Sequence, residues 1–313
     1  MKRLEMELTE YNKLDFNELY SIIKRLKKEK NALILAHNYQ REEVQRIADF
    51  LGDSLELARE ARNVDCEIIL FCGVMFMAET AKILSPSRKV LIPDFYAGCP
   101  LANYAERESV LRFRKEHPRA VFVAYVNSSA EVKAEVDICC TSANAARIVN
   151  SLKAEEIVML PDKNLALYTQ RFTSKRIIPW DGYCHVHTGI TVEHIKEARK
   201  KYPGARVIVH PECSPAVIDS ADAVGSTSQM LQFVRESRGA VIIGTERGIL
   251  NRVKLEMPDK LVYPLTASAI CPNMKLTTLP KVAWALDREM YEVTVDEAIA
   301  ERAYKAIDKM LAV

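Results

Sequence analysis

The sequence predicts an α/β protein made of three related αβα sandwich modules, each with a small parallel sheet, arranged with pseudo-threefold symmetry around a central site. Almost wholly apolar strand-like runs alternate with helical stretches of about a dozen residues, a pattern typical of parallel sheets covered on both faces. In addition, Cys99, Cys184 and Cys271 each follow an apolar run that ends in proline, and they are separated by 85 and 87 residues. This regular spacing indicates a tandem repeat.

Other residues recur in the same frame. Each copy has a histidine or tyrosine ring at the end of its first apolar run, an aspartate twelve residues later, and a hydroxyl residue five residues after that. The three sets are His37, Asp49 and Ser54; Tyr125, Asp137 and Ser142; and His210, Asp222 and Thr227. We therefore expect a leading helix within 1–30, modules over 31–117, 118–203 and 204–290, and a C-terminal helix within 291–313.

Several helices have recognisable start signals. Residues 14–30 carry apolar side chains at helical spacing, which predicts an amphipathic helix. A capping box is predicted at Ser128, and the pair Ser214–Pro215 predicts another helix start. For the last helix, Thr294 and Glu297 form the predicted capping box.

Composition excludes several classes of protein. The chain has 313 residues, 49% of them hydrophobic, and a net charge of +2 without a basic stripe, which argues against nucleic acid as a partner. No apolar run approaches the roughly 20 residues that span a bilayer, and the charged N-terminus does not resemble a signal peptide. We therefore expect a soluble cytoplasmic protein with reduced cysteines, of which Cys66, Cys72, Cys139 and Cys140 fill the core.

The three repeated cysteines predict a metal centre. In parallel α/β sheets, functional groups collect beyond the carboxyl ends of the strands, so three equivalent loops would bring their thiols to one axis. A structural zinc site requires a fourth protein ligand, whereas an iron–sulfur cluster is held by thiolates. With three cysteines, one iron of a [4Fe–4S] cluster lacks a protein ligand and can act as a Lewis acid, which favours catalysis over electron transfer.

The other repeated groups predict an anionic substrate. Ser54, Ser142 and Thr227 each precede a helical stretch, and three helix N-termini at one axis would bind carboxylates or phosphates. The alternative is that these hydroxyls only cap their helices. Polar groups also cluster at the strand ends, and their imidazole, phenol and carboxylate side chains can transfer protons and assist the loss of water. These residues are His37, Asn38, Tyr39, Tyr125, Asn127, His187, His210 and Glu212.

Many short motifs resemble those of the quinolinate synthase family. They include AHNYQ at 36–40, GDS at 52–54, CGVMFMAE at 72–79, AGCPLA at 97–102, AYVNSSAEVKAEVD at 124–137, CTSANA at 140–145, LPDKNLA at 160–166, HPEC at 210–213, GST at 225–227, GTERG at 244–248 and CPNMK at 271–275. The resemblance implies three homologous αβα domains around a three-cysteine [4Fe–4S] cluster. It also implies condensation of iminoaspartate, supplied by L-aspartate oxidase or aspartate dehydrogenase, with dihydroxyacetone phosphate. The products are quinolinate, phosphate and two waters, in NAD biosynthesis.

The same resemblance implies roles for individual residues. Cys99, Cys184 and Cys271 match the cluster ligands, and His37, Tyr39 and Glu212 match proton-transfer groups. The residues that match substrate-binding positions are His37, Ser54, Tyr125, Asn127, Ser142, His187, His210, Glu212 and Thr227. Of these, His187 is expected near the phosphate or the cluster. Two alternatives stay open: another cluster-dependent hydro-lyase acting on a polycarboxylate, and a non-enzymatic iron–sulfur sensor.

Overall fold

The computed structural model describes residues 7–313, which contain three four-stranded parallel sheets. In each sheet the strands lie in the same order, with the second strand in sequence at one edge, then the first, the third and the fourth. The first sheet comprises β1 (Ala32–His37), β2 (Phe50–Gly52), β3 (Ile68–Cys72) and β4 (Lys89–Leu91). The second comprises β5 (Val121–Tyr125), β6 (Ile138–Cys140), β7 (Glu156–Leu160) and β8 (Arg176–Pro179). The third comprises β9 (Arg206–Val209), β10 (Ala223–Val224), β11 (Val241–Gly244) and β12 (Val262–Pro264).

Helices connect and cover these strands. The helices that precede β1 in the chain are α1 (Leu8–Tyr11) and α2 (Phe16–Glu29), and those that connect the strands of the first sheet are α3 (Glu42–Ile47), α4 (Ser54–Asn63) and α5 (Met75–Leu84). A short 3-10 helix (Ala102–Tyr104) is followed by α6 (Arg107–Glu116), α7 (Ala130–Lys133), α8 (Ala145–Ser151), α9 (Lys163–Gln170), α10 (His185–Thr188) and α11 (Val192–Lys201). The remaining helices are α12 (Pro215–Ser220), α13 (Thr227–Glu236), α14 (Ile249–Glu256), α15 (Leu279–Arg288) and α16 (Glu297–Ala312).

Both faces of the first sheet are buried. Successive side chains of a strand point to opposite faces, so Ile34 and Leu70 join the cluster formed with α2 and α15, while Leu35 and Ile69 join the larger cluster on the other face. This arrangement explains why the strands are apolar without interruption. The predicted fold class of three αβα sandwiches is confirmed, whereas the residue boundaries of the modules stay predictions.

The three repeated aspartates have one structural role. Each carboxylate accepts a hydrogen bond of 2.7–2.8 Å from a backbone N–H of the first strand of its sheet. The pairs are Asp49 with Ile34, Asp137 with Phe122, and Asp222 with Val207. In each case the aspartate N–H also donates to the carbonyl of that same strand residue. The aspartates therefore fix the segment that leads into the second strand against the first.

Each of these aspartates also forms an ion pair with the helix that precedes the first strand of its sheet. The pairs are Lys27 of α2 with Asp49 at 2.6 Å, Arg114 of α6 with Asp137 at 2.9 Å, and Arg199 of α11 with Asp222 at 3.0 Å. Thus α2, α6 and α11 occupy equivalent positions relative to the first, second and third sheets. The pseudo-threefold repeat extends to these side-chain contacts.

The predicted start signals differ in their outcome. The leading helix is confirmed as α2, and Ser214–Pro215 does start α12. The capping box at Ser128 is wrong by one residue, because the Ser128 hydroxyl donates to the Tyr125 carbonyl and Ser129 caps α7 instead. The Thr294–Glu297 capping box is also wrong, since Asp296 accepts from the first free N–H groups of α16.

The cysteines outside the repeat are buried as expected. Cys66, Cys72, Cys139 and Cys140 pack within the hydrophobic clusters, so their prediction as core residues is confirmed. All eight cysteines of the chain are free. Within residues 7–313, none of the helices combines the length and the apolar character that crossing a membrane requires.

Candidate active site

The carboxyl ends of the three sheets surround one cavity. The rings of His37, Tyr125 and His210 lie at or just after the ends of β1, β5 and β9. Of the residues that the sequence predicts for the site, Asn38 does not line this cavity, whereas the following do: His37, Tyr39, Ser54, Cys99, Tyr125, Asn127, Ser142, Cys184, His187, His210, Glu212, Thr227 and Cys271. Five apolar side chains complete part of the wall: Val74, Phe76, Met77, Val186 and Met274. The structure therefore brings together residues that are up to 234 positions apart in the chain, from His37 to Cys271.

The three cysteines occupy equivalent loops. Cys99 follows β4, Cys184 follows β8 and caps α10, and Cys271 follows β12, so each module contributes one thiol from beyond its fourth strand. Burial raises the pKa of the Cys99 thiol to about 12 and also raises the pKa of Cys184 and Cys271. Without a metal these groups are therefore thiols, and metal binding would release their protons.

The donor set indicates the kind of metal centre. Cys99, Cys184 and Cys271 all line the same cavity and offer three thiols from three equivalent loops. A structural zinc site takes four protein ligands, whereas an iron–sulfur cluster is held by thiolates on its irons. A set of three thiolates therefore fits a cluster better than a structural zinc ion.

A second possible metal-binding group shares one of these cysteines. Ligand atoms of Cys184, His187 and Glu212 lie within 4.8 Å of one another, so this group could hold a metal ion. His187 Nδ1 lies 3.2 Å from the Cys184 sulfur and 2.9 Å from Glu212 Oε2. His187 thus lies beside a repeated cysteine, and the expectation that it lies near the phosphate or the cluster stays a prediction.

Glu212 is a buried carboxylate held by two donors. Tyr125 donates its phenolic proton to Glu212 Oε1 at 2.6 Å, and His187 Nδ1 lies 2.9 Å from Oε2. Burial raises the pKa of Glu212, but attraction to His187 and His210 and these hydrogen bonds outweigh it, so the pKa falls well below its usual range. Burial and the nearby Glu212 charge raise the pKa of Tyr125, which keeps its proton. The pair therefore combines an ionised base with a protonated phenol.

A chain of hydrogen bonds continues from His187 to Tyr39. Thr245 Oγ1 lies 2.7 Å from His187 Nε2 and 2.6 Å from the Tyr39 hydroxyl. Because a carboxylate offers only acceptors, His187 Nδ1 must donate to Glu212, and in the neutral imidazole Nε2 then accepts from Thr245. Thr245 in turn accepts from Tyr39, whose pKa burial raises well above its usual value. All the bonds therefore point the same way, from Tyr39 to Glu212.

His37 and His210 are positioned by the same local geometry. The Nδ1 of each ring accepts from the backbone N–H two residues later, from Tyr39 at 3.2 Å and from Glu212 at 3.3 Å. Burial lowers the pKa of His37 to about 4 and of His210 to about 3, so both rings are neutral near pH 7. With Nδ1 accepting, each neutral ring carries its proton on Nε2. Both rings therefore offer a hydrogen-bond donor at Nε2.

The hydroxyls predicted to open helices do so in two of three cases. Ser54 and Thr227 are the first residues of α4 and α13, but the caps are the preceding Asp53 and Ser226. The alternative in which these two hydroxyls only cap their helices is therefore wrong.

Ser142 does not open a helix. A turn intervenes, in which the Asn144 side chain accepts from the Thr141 N–H, and α8 begins only at Ala145. The side chains of Ser54, Ser142 and Asn127 form no hydrogen bond with another described residue, and Asn127 Oδ1 is buried. These polar groups on the cavity wall are available to a ligand.

Sequence reasoning missed four residues of the site, of which Asp53 and Thr141 line the cavity without a predicted role. Thr245 completes the chain between Tyr39 and His187, and Glu246 is fully buried beside the cavity. Glu246 accepts from the Cys271 N–H at 3.3 Å and pairs with Lys275 at 3.0 Å, so it anchors the loop that carries the third cysteine. Thr245 and Glu246 lie in the GTERG motif at 244–248, which carries part of the family resemblance but does not by itself indicate a site.

Comparison with known proteins gives a consistent result. A family described as quinolinate synthetase A protein matches residues 21–312. The chain is 52% identical to the quinolinate synthase of Thermodesulfovibrio yellowstonii over 94% of its length and 98% of the relative. It is 53% identical to that of Methanoregula boonei over 93% of this chain and 96% of the relative, and 49% identical to that of Methanocaldococcus jannaschii over 92% and 97%. Together with the cavity and its three equivalent cysteine loops, these matches lead to one conclusion: the chain belongs to the quinolinate synthase family.

Proposed function

We propose that this protein is a quinolinate synthase of NAD biosynthesis, which condenses iminoaspartate with dihydroxyacetone phosphate. The balanced reaction forms one C–C bond and one C–N bond and releases phosphate and two waters with quinolinate. The observation that carries the proposal is the convergence of three cysteines and a set of polar groups on one cavity in a chain of this family. The supplier of iminoaspartate is proposed to be an L-aspartate oxidase or an aspartate dehydrogenase in transient contact, in the cytoplasm.

The proposed cofactor is a [4Fe–4S] cluster held by Cys99, Cys184 and Cys271. The proposal is supported by their equivalent loops, by the cavity that all three line, and by a set of three thiols, which suits a cluster better than a structural zinc ion. When bound, such a cluster has one iron without a cysteine ligand and supplies a Lewis acid that assists the loss of a hydroxyl as water.

The substrates carry two carboxylates and a phosphate, and the cavity wall offers matching donors. The hydroxyls of Ser54, Ser142 and Thr227 and the amide of Asn127 can donate to anionic oxygens. Neutral His37 and His210 add their Nε2–H groups without adding charge. Because most of these groups have no competing protein partner, their hydrogen-bonding capacity is available to the substrates.

Proton transfer is proposed to depend on Glu212 and Tyr39, with His37 close by. Glu212 is ionised and can remove a carbon-bound proton during isomerisation of the triose, while Tyr39 keeps its proton and can donate it. The hydrogen-bond chain through Thr245 and His187 connects the two groups. A proton that Glu212 takes up replaces the one that Tyr39 gives to the substrate once each hydrogen bond of this chain has reversed its direction. Ring closure between the nitrogen and a carbonyl then follows.

Anaerobic incubation of the iron-loaded protein with both substrates tests the proposal. We expect quinolinate and inorganic phosphate in equal amounts, measured by chromatography and by a phosphate assay. Dehydration of a citrate-like polycarboxylate without quinolinate formation would instead indicate another hydro-lyase. An oxygen-dependent change of the cluster spectrum without any turnover would support a sensor.

A further inference from the structure

Asn38 lies between a cation and a hydroxyl of the cavity wall. Its side chain is fully buried, directly after the end of β1. Asn38 Oδ1 lies 2.6 Å from Nη1 of Arg252, and Asn38 Nδ2 lies 2.8 Å from Oγ1 of Thr227. Arg252 belongs to α14 and Thr227 to α13. These two hydrogen bonds therefore join the end of β1 in the first module to two helices of the third module.

The chemistry of arginine fixes the direction of both hydrogen bonds. A guanidinium group only donates, so the amide oxygen of Asn38 must face Arg252. The opposite orientation of the amide would place N–H groups of both residues against each other. The guanidinium is held from its other side by Glu256, which accepts from Arg252 Nε at 2.7 Å. The amide N–H of Asn38 is thereby directed towards Thr227.

Thr227 must therefore use its oxygen as an acceptor for Asn38, and its own proton remains free. This hydroxyl is nearly buried, lines the cavity and has no other hydrogen-bond partner among residues 7–313. The proton is therefore available to an acceptor group of a ligand in the cavity. Ser54 and Ser142 differ, because no protein neighbour fixes which way their protons point.

We propose that Asn38 and Arg252 are positioning residues that hold Thr227 as a hydrogen-bond donor towards an anionic oxygen of the substrate, a carboxylate or a phosphate. The inference rests on the proposed function, because it concerns the ligand of the same cavity. The hydrogen bond from Asn38 makes Thr227 selective for ligand groups that accept a hydrogen bond. To accept from a hydroxyl or amine of a ligand instead, the Thr227 hydroxyl would have to turn and break its bond from Asn38. Neither positioning residue lines the cavity.

The discriminating variant is Asn38→Asp. A carboxylate keeps the pair with Arg252 but has no N–H, so it accepts the Thr227 proton and turns it away from the ligand. We expect the KM of the affected substrate to rise about 10-fold or more, with a smaller change in kcat, because a hydrogen bond to a charged group is lost. Affinity for quinolinate or for inorganic phosphate, whichever anion Thr227 contacts, should fall by the same factor in calorimetry.

A double-mutant comparison separates positioning from a general structural effect. Thr227→Val alone should weaken binding of the same anion, and Thr227→Ser should retain wild-type affinity. In the Thr227→Val background, Asn38→Asp should cause no further loss of affinity. Cluster absorption and melting temperature serve as controls for folding.

Two outcomes would overturn the inference: an Asn38→Asp variant with wild-type affinity for both anions, or an equal loss with and without the Thr227 hydroxyl. Because anion binding is read without turnover, a wild-type protein that makes no quinolinate would count against the proposed function alone.

Discussion

The amino half and the carboxyl half of each sheet have diverged to different extents. In the amino half, the same aspartate contact with the first strand and the same ion pair to the preceding helix occur three times. In the carboxyl half, the cysteine recurs but its neighbours differ. Folding of the module imposes one solution on every copy, whereas one asymmetric reaction requires different groups on each side of the axis.

The cavity side shows this asymmetry clearly. The first module contributes Tyr39, the second Tyr125, and the third the carboxylate Glu212. His37 and His210 share one geometry, and the second copy has a tyrosine in their place. A symmetric cavity would offer three equivalent carboxylates, whereas the carboxylates that line this one, Asp53, Glu212 and Glu246, occupy non-equivalent positions, and Glu212 is held by two different donors.

The largest expected effect of breaking this asymmetry comes from Glu212→Gln. The amide keeps the shape of the side chain but removes the base, so turnover should fall by about 10²- to 10⁴-fold. Quinolinate formation under anaerobic conditions measures the loss, and the cluster absorption spectrum should be unchanged. Glu79→Gln is the matched control, because Glu79 is a largely buried glutamate that accepts from the Ala130 N–H away from the cavity. Turnover within about threefold of wild type in Glu212→Gln would reject the assigned role.

The residues of the cavity should also make the stability of the fold sensitive to acid. The pKa of His37 falls from 6.5 in the unfolded chain to about 4 through burial, so the unfolded state binds more protons between these values. Its contribution to stability is complete above pH 6.5 and is lost as the pH falls towards 4. At pH 5 the loss from His37 is about 2 kcal/mol relative to pH 7.5.

Urea unfolding of wild type and His37→Gln at pH 7.5 and pH 5 measures this term. The variant should lose about 2 kcal/mol less on acidification than the wild type does. An equal loss in both proteins would show that His37 is not held neutral by burial.

The amino half should respond equally in all three modules. Replacing Asp49, Asp137 or Asp222 by alanine leaves a strand N–H without its acceptor, so each variant should lose about 1–2 kcal/mol of unfolding free energy. Turnover per folded molecule should change little. Glu301→Ala, which removes only an exposed ion pair with Lys305, is the control and should have a much smaller effect. Strongly unequal losses, or a large loss of turnover, would contradict the equivalence of the three contacts.

The repeat made much of the site predictable. The cysteines, rings and hydroxyls keep their spacing in three copies, so their convergence followed from the expected arrangement of parallel sheets. Thr245 was not predictable because it has no counterpart in the other two copies. Gly244, Cys72 and Leu160 occupy equivalent positions, because each pairs with the residue that precedes the ring at the end of the first strand of its sheet. The residue after Gly244 is Thr245, whereas the residues after Cys72 and Leu160 are Gly73 and Pro161. Neither of these can donate from a side chain. Glu246 had a motif as its only signal, and its role depends on a contact with Cys271 across the fold.

Local start signals were less reliable than the repeat, for a physical reason. Ser128 and Ser129 both suit a helix start, and only the contact of Ser128 with the Tyr125 carbonyl decides between them. Ser142 has the spacing of Ser54 and Thr227, but the Asn144 turn delays the helix to Ala145. Such competition between neighbouring side chains is settled by a few hydrogen bonds that the spacing of residues does not contain.

The convergence of one cysteine from each module on a shared cluster is tested most directly by iron and acid-labile sulfide analysis. After anaerobic reconstitution, the wild-type chain should hold about four irons and four sulfides. Alanine variants of Cys99, Cys184 and Cys271 should each lose most of both, while Cys213→Ala and Cys139→Ala, at buried positions that do not line the cavity, should retain them. Full iron in any of the first three variants, or an equal loss in the two controls, would contradict the assignment.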